Sequence, residues 1–317
     1  MGDLISGLLS SMIALSVPLL IAAEGEVFVE RSGQFNMGIE GIMAVSALSA
    51  FAATLASGSL LLGFLAGATV GALSALFIYV LIARVHLNGV LVAIVFNLLS
   101  SGLTGFLSAF FINNNSVPKQ SIHLMEAPIP VLSGIPWVGP ILFSQNAVVY
   151  IALLCVPLIA YVLFRTKFGL QLRATGGNAL AAQTMGINTY RTKLRCFLIG
   201  GATGGLAGAY LSLNLGMFVE NITMNKGFIA LALCTFSRAN PYGTLFGALL
   251  FALADSLQLR LQVFDLNIPY EFLLMLPYTM TILALVVTAK RNSGRRAPLR
   301  RRVASTQLGR QVYESRK

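Results

Sequence analysis

An all-α, polytopic membrane protein with about eight to ten transmembrane helices, some of them broken, is the fold class this sequence predicts. Two observations carry that prediction. Of 317 residues, 56% are hydrophobic and only 10% charged, whereas a water-facing domain carries about 25% charged residues. The charges are also segregated: six Lys or Arg and no acid lie from Arg165 to Arg195, and ten of the 22 basic residues lie at or after Lys290. Such segregation is the positive-inside pattern. It assigns the net charge of +11 to membrane topology and excludes the nucleic-acid partner that a basic soluble protein would suggest.

The elements follow in order. Leu4 to Ala23 is an uncharged run of 20 residues, about 30 Å of helix, which matches a bilayer core. Asp3 precedes it and no Lys or Arg does, so it reads as a mature helix rather than a signal peptide. Glu24 to Glu40 places Glu24, Glu26, Glu30, Arg31, Asn36 and Glu40 among apolar residues. The segment reads either as an amphipathic cytoplasmic helix or as a broken helix facing a protein cavity. Gly41 to Ala83 is uncharged, with a turn signal at Ser57-Gly58-Ser59, and predicts a helical hairpin. After the polar break at Arg84 and His86, Asn88 to Ile112 crosses again.

Asn113 to Gln145 holds three consecutive asparagines and five prolines, so it is expected outside the bilayer, with Trp137 at the interface. Asn146 to Phe164 crosses back to a cytoplasmic segment at 165–195, and Cys196 to Met217 crosses outward. Gly227 to Ala239 is too short to cross unless tilted or continued by non-helical backbone around Asn240-Pro241. Tyr242 to Leu259 and Phe272 to Ala289 complete the set. The expected organisation is a transmembrane domain over 1–289, with an extracytoplasmic loop at 113–145 and a cytoplasmic loop at 165–195. A basic cytoplasmic tail at 290–317 sets topology or touches anionic lipid.

Gly63, Gly67 and Gly71 repeat every four residues, as do Gly200, Gly204 and Gly208, with Gly201 and Gly205 beside them. Four-residue spacing stacks small residues on one helix face; packing within the chain is the first reading and a dimer contact the second. Cys155, Cys196 and Cys234 have no metal-ligand spacing, so neither a metal nor a disulfide is expected. No G-x-x-x-x-G-K-[ST] loop occurs, so any ATP is used by another subunit, and this chain is expected to bind no cofactor of its own. With two histidines and no grouping suited to acid-base work, transport is favoured over catalysis.

In the basic loop, Asn178 can cap a helix from Ala179 to Met185 that Gly186 closes, a short element suited to docking into a partner's groove. Polar side chains in apolar spans mark a candidate substrate path: Asn36, Glu40, Asn97, Asn214, Asp255 and Gln258. Phe35, Phe96 and Phe218 can stack a base, although core packing is the plainer reading. Asn97 reads equally as an interhelical hydrogen bond, Asp255 and Gln258 as hydrated residues near the outer end of their helix, and Glu220 and Asn221 as an outer connection equally suited to contact an extracytoplasmic protein.

The runs GEVFVERSGQFNMGIEGIM (Gly25 to Met43), FVENITMNKGFIALAL (Phe218 to Leu233) and ANPYGTLFGALLFALAD (Ala239 to Asp255), with the FG-LRATG-N-AA-GI pattern from Phe168 to Ile187, cover much of the chain. They resemble the inner-membrane permeases of bacterial ABC importers, in the nucleoside and simple-sugar branch related to branched-chain amino-acid permeases, and most of all the shorter permease of nucleoside importers. The resemblance implies the ABC importer permease fold. It also implies a heterodimer with a second, homologous permease, a cytoplasmic ABC ATPase and an extracytoplasmic substrate-binding protein. By match to the family pattern, Gly176, Asn178, Ala181, Ala182 and Gly186 would form the helix that couples to the ATPase. Gly177-Asn178-Ala179 stands where the family commonly has Glu-Asn-Pro, and Asn225-Lys226-Gly227-Phe228 where it has Gly-Arg-Gly-Phe, which keeps a cation. The implied cargo is a nucleoside. A simple sugar such as ribose is the alternative, and an ion-coupled carrier using Asp255, Glu40 or Glu30 is the alternative of another class.

Overall fold

The computed structural model describes residues 2–112, 122–125 and 138–263, with Met275 and Thr279 singly. Every described element is helical: α1 (Gly2–Arg31), α2 (Ile39–Ser57), α3 (Leu60–Ala83), α4 (Gly89–Leu107, continued by a π-helical turn at Ser108–Ile112), α5 (Val138–Leu142), α6 (Ala147–Arg165), α7 (Lys167–Gly177), α8 (Ala179–Thr184), α9 (Thr189–Leu215), α10 (Lys226–Phe236) and α11 (Pro241–Val263). Seven of them, α1, α2, α3, α4, α6, α9 and α11, are long and apolar enough to span a bilayer. The chain is a multi-pass membrane protein. The crossing expected at 272–289, the basic tail, Trp137 and most of the 113–145 loop lie outside the described residues.

Side-chain caps set the helix starts. Asn88, Asn146, Thr166, Asn178 and Asn188 each accept a hydrogen bond from a backbone N–H in the first turn of the helix that follows. The hairpin turn forms where the sequence predicts it, with Gly58 at φ +66 closing α2.

At the centre runs α9, the most enclosed of the spans. Its small residues divide among three neighbours. Gly201 and Gly205 meet Gly67 and Gly71 of α3, Gly204 and Gly208 meet Ile39, Ile42 and Met43 of α2, and Gly200 meets Gly25 and Val29 of α1. A Cβ on Gly71 would fall on the Gly201 carbonyl and within 2.7 Å of the Gly205 Cα, so main chains here touch with nothing between them. The glycine stripes therefore pack within the chain, as the first reading holds.

Three boundaries differ from the sequence reading. The first helix runs unbroken through Glu24 to Arg31, inside the bundle, and breaks only at 32–38. The basic loop contains a second helix, α7, ahead of the short α8. The non-helical continuation of the short α10 lies before it, at 216–225, instead of at Asn240-Pro241. Phe218 and Ile222 of that stretch pack with Ala47, Leu48 and Phe51 of α2, so the connection folds back into the bundle.

Candidate functional site

The site is built from the α1–α2 bend upward. Glu24 and Glu26 are 2% and 1% exposed, and no carboxylate sits at such a place without hydrogen-bond partners. Thr244 of α11 donates to Glu24, and Asn36 Nδ2 donates to Glu26 at 3.1 Å. One turn further, Thr235 of α10 donates to Glu30 at 3.4 Å. Arg31 Nε donates to the Ala239 carbonyl at 2.9 Å, and the guanidinium groups of Arg31 and Arg173 stand 5.7 and 5.6 Å from the Phe164 ring. Of the two readings of Glu24 to Glu40, the broken helix facing a protein interior is the one the structure contains.

Asn97 fastens the far side of the same bend. Its Nδ2 donates to the Met37 carbonyl at 3.0 Å, and its Oδ1 accepts from Gly41 N–H at 2.9 Å. Glu40 then holds the start of α10. One carboxylate oxygen accepts from Asn225 N–H at 3.0 Å and from the Thr223 hydroxyl, and the other from Gly227 N–H at 2.7 Å. Asn225, at φ +62, carries no capping hydrogen bond of its own, so Glu40 of α2 supplies the N-terminal acceptor from another helix. Gly227 packs directly on the Glu40 backbone. From there α10 runs 11 residues, about 16 Å, to the end of the bundle where Ala239 meets Arg31. It is a half-length helix that begins in the middle of the bundle.

The remaining path candidates fall in different places. Asn214 is exposed near the end of α9 away from the basic loop and accepts from Asn146 Nδ2 at 3.3 Å, while Asn146 also donates to the Tyr210 hydroxyl. Asp255 sits 14 residues into α11, about 21 Å along it, instead of near its outer end. Its Oδ2 lies 3.6 Å from Lys226 Nζ at the start of α10. Gln258 is half-buried one turn further. The three aromatic candidates divide likewise: Phe96 and Phe218 are buried in the core and Phe35 is half-buried.

Between α2, α4 and the stretch before α10 opens a cleft lined by Glu40, Asn97, Ser101, Thr104, Phe218 and Asn221, among others. Its empty space, counted out into the open side, is about 360 Å³. In this conformation the enclosed part has room for a few waters. Its walls carry hydroxyls, amides and the Glu40 carboxylate, the last already held by three donors. Among the described residues no cluster of His, Cys, Asp or Glu could hold a metal, and the three cysteines are free.

In the basic loop, Asn178 Oδ1 accepts from Ala181 N–H at 3.2 Å and Gly186 takes φ +79, so the short helix forms with its expected caps. Ala182 faces inward at 4% exposure, while Leu180 and Met185 stand 72% and 81% exposed. Gly176 lies on the Arg31 carbonyl and Gly33, against the α1–α2 bend.

Sequence reasoning left out the hydroxyl partners Thr223, Thr235 and Thr244. No local pattern marks them, because each meets its carboxylate across 183 residues or more. Lys226 did carry a signal: it is a lone cation in an apolar run, and Asp255 is a lone anion in another.

The family model described as branched-chain amino acid transport system, permease component, matches residues 8–285. A nucleoside ABC transporter permease protein of Lactococcus lactis subsp. cremoris is 34% identical over 291 residues, covering 88% of this chain and 91% of that one. A guanosine ABC transporter permease protein of Bacillus subtilis is 33% identical, covering 89% and 92%. A Haloferax volcanii protein provisionally named a glucose ABC transporter permease is 36% identical, covering 82% and 79%. Among solved structures, a provisionally assigned metal-chelate type ABC transporter in an inward-facing conformation matches with a TM-score of 0.51 at 17% identity, covering 88% of this chain and 84% of its own, a likeness of fold alone.

Proposed function

This chain belongs to the branched-chain amino acid transport system permease family, and from that membership we propose that it is one of two transmembrane permeases of an ATP-driven importer of nucleosides. The carrying observation is the similarity to nucleoside and guanosine permeases over about nine-tenths of both chains. The Haloferax relative supports a simple sugar as the second reading.

Energy comes from a partner ATPase, and this chain binds neither nucleotide nor another cofactor. With its basic residues, the α7–α8 loop faces the cytoplasm, and so does the C-terminal tail. Gly176, Asn178, Ala181, Ala182 and Gly186 shape the docking helix, whose exposed Leu180 and Met185 enter a groove of the ATPase. On the other side an extracytoplasmic binding protein delivers the solute. A second permease covers the re-entrant stretch: Asn221 and Asn225 are exposed there on non-helical backbone, which lipid does not tolerate. The substrate path then runs between the two permeases, past the cleft at Glu40 and Asn97, with Asn36 buried behind it in the α1–α2 bend, and past Asp255 and Gln258. The three donors on Glu40 favour a partner-driven importer over an ion-coupled carrier, because that carboxylate is already occupied.

The test is uptake of labelled guanosine and adenosine by cells with and without this gene, at constant ATP, with a protonophore and with excess ribose. Gene-dependent uptake that survives both additions is expected. Inhibition by ribose selects the sugar reading, and loss on proton-gradient collapse selects the ion-coupled carrier. Leu180→Glu is expected to lower uptake at least tenfold by placing a charge in an apolar groove, while leaving the amount of inserted protein unchanged, since the side chain is exposed. Unaltered uptake and ATPase co-purification would remove α8 from the docking surface.

A further inference from the structure

We propose that Lys226, Asp255 and Gln258 form the part of the path that recognises the vicinal hydroxyls of ribose, so that the importer prefers ribonucleosides to 2′-deoxynucleosides. This rests on the nucleoside reading above and goes beyond it to the chemistry of the cargo.

Lys226 and Asp255 are the only ion pair among the described residues, and the contact is loose: one carboxylate oxygen at 3.6 Å from Nζ, with the side chains 16% and 17% exposed. Asp255 Oδ1, the other donors of Lys226 and the Gln258 amide find no protein partner among the described residues. A pair that served only to fasten α10 to α11 would close to hydrogen-bond distance and shed its remaining polar capacity, since unmet donors and acceptors are costly at membrane depth. Here that capacity is unmet among the described residues. The pair is also held in place by something other than itself, because Glu40 fixes the N-terminus of α10 at Asn225 and Gly227.

The chemistry of the open positions is specific. A carboxylate with a free oxygen accepts O–H bonds from two adjacent hydroxyls, an ammonium donates to the same hydroxyl oxygens, and an amide one turn away does either. A cis-diol meets all of them; a 2′-deoxyribose leaves one carboxylate position unmet. Losing one hydrogen bond to a charged group lowers recognition by about tenfold or more.

The whole importer, in cells, is tested with labelled guanosine and 2′-deoxyguanosine at equal subsaturating concentration. The wild-type chain is expected to take up guanosine about tenfold faster. Asp255→Asn is expected to bring the ratio towards one, and Asp255→Glu, which keeps the carboxylate, to retain most of it. Gln258→Leu, which leaves the ion pair whole, is expected to lower the ratio a few-fold and reads it even where Asp255→Asn does not insert. Because the binding protein is the same throughout, a change of ratio reports on this chain. Equal uptake of the two nucleosides by wild type, or an unchanged ratio in every inserted variant, overturns the proposal while leaving nucleoside import standing. Absence of gene-dependent guanosine uptake overturns the reading beneath it instead.

Discussion

Replacing Glu40 with alanine is expected to destabilise the folded permease by about 4 kcal/mol and to abolish uptake. Three donors would lose their acceptor at once: the Thr223 hydroxyl and the backbone N–H groups of Asn225 and Gly227. Each buried, unmet donor costs roughly 1–3 kcal/mol, and an alanine methyl offers no acceptor in place of the carboxylate. The hydroxyl can turn to another acceptor; the two amides cannot, because Asn225 begins α10 without a capping side chain. Glu40→Gln should fall between alanine and wild type, since one oxygen remains to accept while the new NH₂ confronts a donor. The measurement is the unfolding midpoint in detergent, alongside uptake. A midpoint unchanged in Glu40→Ala would show that the start of α10 is held by something else.

Gly71→Leu should have a comparable or larger effect. Any Cβ at Gly71 meets the main chain of Gly201 and Gly205, which cannot swing away as a side chain can. Overpacking a well-packed core of side chains costs about 1–3 kcal/mol; here main chain is in the way and the α3–α9 seam must open along its length, so at least about 3 kcal/mol is expected even though leucine is the better helix former by nearly 1 kcal/mol. Little folded protein should accumulate in the membrane. Gly102→Leu is the control, because a Cβ there has nothing within 4 Å. If the two variants accumulate equally, the seam is not the close backbone contact described.

What was legible in the sequence is what depends on neighbours along the chain. Uncharged run length predicts the spans, Ser57-Gly58-Ser59 the hairpin turn, four-residue glycine spacing the close seams, and Asn178 with Gly186 the two ends of the short helix α8. Residues whose setting is decided across the fold were not legible. Glu24, Glu26 and Arg31 read as a possible surface helix because Thr244, Asn36 and the Ala239 carbonyl, which make their burial tolerable, are invisible locally. The stretch around Glu220 and Asn221 reads as an outer connection for the same reason: its polar residues suit water, and what draws it inward is Glu40, about 180 residues earlier, with the packing of Phe218 and Ile222 on α2. Asp255 looked terminal until Lys226 placed it at the start of α10.

Where Gly176 rests on the Arg31 carbonyl and Gly33, main chain bears on main chain. Side chains yield to a load by changing rotamer, whereas two backbones in contact have no such slack. The joint between the loop and the α1–α2 bend is therefore stiff. On the function proposed above, a displacement of α7 would pass through this joint to the bend that carries Asn36, and by the reciprocity of coupled equilibria a solute that favours one position of the bend would change the affinity of the loop for its partner by the same factor.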